Sequence, residues 1–150
     1  TVRDYCTWVE SAPASQIDEA TKAVKLLSAL YHHVIELCPR DSGEDIDEER
    51  ISDDEWKKVY RRFGALPFNY YSDIFSPAKM NEEKPHTGDL ADDLADIYRD
   101  IKAGLGLYDK GYVAEALWEW KLNFQIHWGR HASSALYALH CYIADEGIEI

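Results

Sequence analysis

The apolar positions of this chain recur mostly at steps of three and four. In IDEATKAVKLLSALYHHVIEL they fall at Ile17, Ala20, Val24, Leu27, Leu30, Tyr31, Val34 and Leu37. That is the period of a helix with one apolar face, and Pro39 closes it. VRDYCTWVE predicts a short helix ahead of it, ended by Ser11-Ala12-Pro13, and Ser15 with Asp18 is a capping signal. Ser52-Asp53-Asp54-Glu55 is a capping box before WKKVYRRF, which Gly64 and Pro67 end. Leu90 to Tyr108 predicts a strong helix. Lys110-Gly111 is the break before Val113 to Ile143, helical with a kink expected at Gly129. NYYSDIF is a short aromatic element stopped by Pro77. Residues 40–51 read as an acidic loop and 76–88 as a surface loop. No stretch alternates with period two well enough to predict a strand. The expected fold is all-α: a single-domain helical bundle over residues 1–150 with a C-terminal antiparallel helical hairpin.

Composition narrows the function classes. With 46% hydrophobic and 13% aromatic residues, the chain is expected to pack rather than stay disordered. A formal net charge of −12 repels phosphate backbones, so nucleic-acid binding is not expected. The same field suits a basic protein partner or a cation. No apolar run approaches the roughly 18 residues of a membrane span, and no signal-peptide pattern opens the sequence. A cytoplasmic protein is expected. Cys6, Cys38 and Cys141 are odd in number and lack CxxC spacing, so neither a disulfide framework nor a zinc knuckle is expected. The acidic loop lacks the glycine and terminal Glu spacing of a calcium-binding EF-hand.

The candidate chemistry lies on the last two helical stretches. At about 100° per residue, Leu90, Leu94, Ile97, Ile101, Leu105 and Tyr108 share one arc. Asp89, Asp92, Asp93, Asp96 and Asp100 form a stripe beside it. Their neighbours three and four apart repel, at a cost on the order of 1–2.5 kcal/mol if all are ionised. A half-buried stripe therefore needs cations, protons or hydrogen-bond donors. Gly104 sits between the two arcs, where a glycine is expected to admit close approach by another helix. The last stretch is apolar nearly all round, which predicts a central helix. Its polar residues, Glu119, Asn123, His127, Arg130, His131 and Ser134, fall into a single stripe. Counting outward from Lys110-Gly111 sets Asp100 near Asn123, Asp96 near His127, Asp93 near Arg130, and Asp89 near Ser133 or Ser134.

The expected site is therefore an interhelical polar seam of Asp93, Asp96, Asp100, Asn123, His127, Arg130 and His131, structural or a ligand site. One alternative is a divalent-metal protein or metal-dependent hydrolase. Asp96, His127 and His131 would supply one carboxylate and two imidazoles, a set used for zinc or iron. HWGRH lacks the Glu of HExxH, which argues against zinc-protease chemistry. A metal-free Asp–His acid/base pair with Arg130 as an anion clamp lacks any marked nucleophile. A further alternative is an adaptor or inhibitor that docks a basic partner through the acidic surface.

LADDLADIYRD, LWEW, FQIHWGRH and ALYALH, with ISDDEWKKVYRRF and YYSDIFSP, resemble a bacterial family catalogued only as a domain of unknown function. The resemblance runs from about residue 5 to 140. It implies a small, soluble, all-helical bacterial protein. Asp92, Asp93, Asp96, Trp118, His127, Trp128, Gly129 and His131 match its recurring motif, which assigns them no role. Near position 123 the resemblance implies an acid or an amide, and Asn123 stands there.

Overall fold

The computed structural model describes residues 1–39, 46, 49–80 and 84–150. Among them are six α-helices and a small two-stranded sheet. The first two helices are α1 (Val2–Glu10) and α2 (Gln16–Glu36). Ser15 caps α2 by accepting from the Asp18 backbone N–H at 3.2 Å. Helix α3 (Asp53–Arg62) opens on the expected capping box: Ser52 Oγ accepts from Glu55 N–H at 3.3 Å, and Glu55 accepts from Ser52 N–H at 2.9 Å. A 3-10 turn over Phe63–Ala65 ends it.

The small sheet departs from the all-α expectation. Strand β1 (Tyr70–Asp73) pairs antiparallel with β2 (His86–Asp89), so residues 86–88 are strand rather than loop. Four-residue strands are too short to show alternation, and their pairing is decided by contacts across the fold. Tyr71 lies opposite Gly88, and a Cβ there would come within 2.4 Å of the Tyr71 ring. The tyrosine ring thus occupies the space a side chain at position 88 would need. Most of the acidic loop 40–51 lies outside the described residues.

Strand β2 runs directly into α4 (Leu90–Asp109). Asn69 fastens the junction: its carbonyl accepts from Leu90 N–H at 2.8 Å and its Oδ1 from Ala91 N–H at 2.9 Å. Asp89 caps the helix through Asp92 N–H at 3.1 Å. After α4, Gly111 adopts φ +92°, a region glycine enters without steric cost, and Tyr112 N–H returns to the Leu107 carbonyl.

The remaining stretch is α5 (Val113–Asn123), a π-helical turn (Phe124–Trp128) and α6 (Gly129–Asp145). A Cβ at Gly129 would meet the Phe124 carbonyl oxygen at 2.4 Å, so glycine is what fits beside that wider turn. The central helix is α4, not the last stretch: it packs against α1, α3, α5 and α6. It buries Leu90, Leu94, Ile97, Ile101 and Leu105, while Ile126 and Tyr137 of the last stretch stay exposed. The large side chains of that stretch are shared between α4 and α2, with Phe124 against Tyr31 of α2 and Tyr142 against Phe68. Gly104 does permit close approach. Trp120 crosses it, Nε1 2.3 Å from where a Cβ would stand, and donates to the Ile101 carbonyl at 2.9 Å.

Candidate metal centre

The Asp stripe of α4 turns inward. Asp93, Asp96 and Asp100 are buried. Opposite them stand His127, on the π-helical turn, and His131, in the first turn of α6. His127 Nδ1 lies 2.6 Å from Asp100 Oδ2, and His131 Nδ1 lies 2.6 Å from Asp93 Oδ1. An ionised carboxylate only accepts, so each Nδ1 is the donor. In the neutral imidazole, Nε2 then carries the free lone pair.

Both Nε2 atoms point at one oxygen. Asp96 Oδ2 is 3.8 Å from His127 Nε2 and 3.9 Å from His131 Nε2. Those gaps are too long for hydrogen bonds. Ligand atoms that share a tetrahedral ion at bonds of about 2.0–2.2 Å stand about 3.3–3.6 Å apart, so an ion would draw these groups a few tenths of an ångström closer. The three ligand atoms lie within 4.8 Å of one another. His127 and His131 side chains are 37% and 21% exposed, so the cluster opens to solvent on the imidazole side.

Other elements hold the carboxylates in place. Asp96 Oδ1 accepts from Trp56 Nε1 at 2.8 Å and forms an ion pair with Arg99 Nη2 at 2.9 Å, leaving Oδ2 to face the imidazoles. Asp93 Oδ2 accepts from Tyr71 hydroxyl at 2.5 Å. Asp100 Oδ1 accepts from Arg50 at 3.1 Å, and Arg50 also reaches Glu119 at 2.7 Å. The donors that the stripe requires are therefore present.

Charge is still in excess on the acidic side. Burial, then the charges of Asp96, Asp89 and Asp93, raise the Asp92 pKa. Burial, the largest influence on His131, pulls its pKa down. The hydrogen bond to Asp93 and the charges of Asp93, Asp96 and Asp92 outweigh it, and the value is raised. Burial and the Asp93 charge push the Tyr71 hydroxyl well above its usual range, so it stays a donor.

Of the residues singled out in the sequence, the structure brings Asp93, Asp96, Asp100, His127 and His131 together. The level-by-level pairing shifts by up to one turn. Side chains on a helix lean toward its N-terminus. Those of α4 lean away from Gly111 and those of α5 and α6 lean toward it, so His127 meets Asp100 as well as Asp96. Asn123 turns to Glu119, accepting partner of its Nδ2 along its own helix, rather than to Asp100. Arg130 does not meet Asp93. It stacks on Phe75, 3.6 Å from the ring centroid, with Asp73 Oδ2 at 3.7 Å. Asp89 accepts from Tyr60 hydroxyl at 3.0 Å, and Ser134 donates to Asp73 at 3.1 Å.

Sequence reasoning missed Trp56, Tyr71 and Arg50, which come from α3, β1 and the segment before α3. Only Arg99 carried a local signal, three residues after Asp96 on one helix. Two imidazoles oriented by carboxylates, facing a third carboxylate, are residue types that could hold zinc or non-heme iron.

Comparison with known proteins supports the architecture. The chain is similar to protein BF1032 from Bacteroides fragilis, a solved structure with TM-score 0.77 and 20% sequence identity. The likeness covers 93% of this chain and 85% of that one, and at this identity it speaks to fold. No curated protein matches. No helix among the described residues is long and apolar enough to cross a membrane. A family model matches residues 1–145, and the chain belongs to that family, described as "Domain of unknown function (DUF5063)".

Proposed function

We propose that this protein binds one divalent transition-metal ion through His127 Nε2, His131 Nε2 and Asp96 Oδ2. The observation that carries this reading is the paired orientation of the imidazoles. Each gives its Nδ1 to a separate carboxylate, and both turn Nε2 toward the same oxygen of Asp96. Hydrogen bonding at Nδ1 fixes the tautomer and makes Nε2 a better ligand. Asp93 and Asp100 act as orienting groups and Asn123 takes no part. Three protein ligands leave at least one position for water on the exposed side, which is the arrangement of a catalytic site rather than a closed structural one. An ion there would lower the pKa of that water and favour hydrolysis. The supporting frame is a single helical domain in which α4 and the α5–α6 stretch form an antiparallel hairpin.

Elemental analysis of untagged protein purified without chelator tests the reading. About one equivalent of zinc, iron or manganese is expected, and none in His127→Ala. Absence of any such metal, together with no thermal shift on adding it, would refute the proposal.

One observation favours a second reading, a hydrogen-bonded seam that fixes helix register. Among the described residues, no buried side-chain nitrogen or oxygen lacks a partner. The seam alone leaves the convergence of both Nε2 atoms on Asp96 without a purpose, because neither is within hydrogen-bond distance.

A further inference from the structure

We infer that the metal centre takes an oxyanion substrate, with a phosphoryl or carboxylate group held by Arg130 while the ion coordinates one of its oxygens. The inference rests on the metal reading above and names the chemistry of what that centre would act on.

Arg130 differs from its neighbours. Arg50 donates to Asp100 at 3.1 Å and to Glu119 at 2.7 Å, and Arg99 forms an ion pair with Asp96 at 2.9 Å. The nearest acid to Arg130 is Asp73, at 3.7 Å, beyond hydrogen-bond distance. Asp73 is already engaged: Oδ1 accepts from Ser134 at 3.1 Å, and Oδ2 lies 3.3 Å from His86 Nε2. Among the described residues, the Arg130 guanidinium makes no hydrogen bond, its ion pair with Asp73 is long, and its five N–H donors find no acceptor there.

The group is nevertheless held in place. Its carbon sits 3.6 Å from the Phe75 ring centroid, and its side chain is 41% exposed. A stacked guanidinium is pre-organised, and its planar fork matches the paired oxygens of a carboxylate or phosphoryl group. It is carried on the same helical stretch as two of the proposed ligands. Arg130 follows His127 by three residues on one helical face and precedes His131. On β1, Tyr71 reaches Asp93 and Asp73 reaches Arg130. Residues two apart on a strand share a face about 7 Å apart, so one face of β1 carries both the group that holds Asp93, the partner of His131, and the acid nearest to Arg130.

The closing experiment loads the wild type and Arg130→Gln with Co²⁺ and follows the cobalt absorbance bands. Methylphosphonate and acetate are then titrated separately. Both proteins should take up Co²⁺ equally, and the variant should bind the preferred anion about tenfold more weakly, or worse, as expected for losing a charged hydrogen bond. The stronger anion identifies a phosphoryl or a carboxylate substrate. If R130Q folds poorly, Arg130→Lys, which keeps charge but loses the fork, must weaken the same anion. A cobalt protein that ignores both anions, or binds them equally with and without Arg130, overturns the inference and leaves the metal reading standing. Failure to take up Co²⁺ overturns both.

Discussion

Two buried ionic networks in this molecule follow different rules. In the first, Glu19 of α2 accepts from Trp8 Nε1 at 3.0 Å, Ala14 N–H at 2.8 Å and both terminal nitrogens of Arg62. Arg62 also donates to the Trp8 carbonyl at 3.1 Å and lies over the Trp8 and Phe63 rings. One acid meets one base, and Glu19 is 2% exposed. In the second, five aspartates line one side of α4, and two imidazoles keep an Nε2 aimed at a carboxylate they do not bond. The first network is closed: charge is balanced and the hydrogen bonds are made. The second retains negative charge and two Nε2 atoms beyond hydrogen-bond distance of the carboxylate they face, and it opens to solvent. A pair that only holds elements together gains nothing from such a surplus, whereas a cation site needs it.

The sharpest way to break the contrast is Arg62→Ala. It strands the buried Glu19 carboxylate and should cost about 3–5 kcal/mol in urea unfolding, with metal content per folded protein unchanged. Loss of metal would show that the two networks are not independent. Next in size is the response to metal itself. At a free concentration about 100 times Kd, an ion bound only by the native state should add about 2.7 kcal/mol to wild-type stability and nothing to His127→Ala. Thermal unfolding with and without the ion measures this. Asp96→Ala leaves Trp56 Nε1 without its acceptor and Arg99 without its ion-pair partner, and should cost about 1–3 kcal/mol in apo protein. A change under about half a kcal/mol would mean a solvated surface rather than a half-buried seam. Smallest in stability is Tyr71→Phe, which removes one donor from Asp93 at about 0.5–1.5 kcal/mol. By loosening the group that orients His131, it should also weaken metal affinity about 10–100-fold in a competition titration.

Much of the helical fold was legible because its signals are local. Ser15 and Ser52 marked helix starts, and three- and four-residue apolar steps marked their faces. The two strands were not legible, since Tyr71 and Gly88 acquire their meaning from each other across sixteen intervening residues. Within the site, the Asp stripe and the two histidines could be placed on helical faces by counting. Their partners could not be paired correctly, because counting locates Cα atoms and ignores the lean of side chains toward each helix N-terminus. Arg130 illustrates the limit. Its position on the histidine face was readable, but its stacking on Phe75 depends on where β1 runs.

Periodicity and spacing alone settle which residues lie on which face of each helix, because a 3.6-residue repeat is a property of the chain and needs no partner. They also set carboxylates and imidazoles on faces that have to be covered. Which nitrogen donates, which oxygen stays open, and which indole, phenol or guanidinium completes the shell depend on distances of a few ångströms between segments far apart in sequence. Packing around α4 decides these, since hydrogen bonds and ligand geometry are short-ranged and directional whereas hydrophobic patterning is neither.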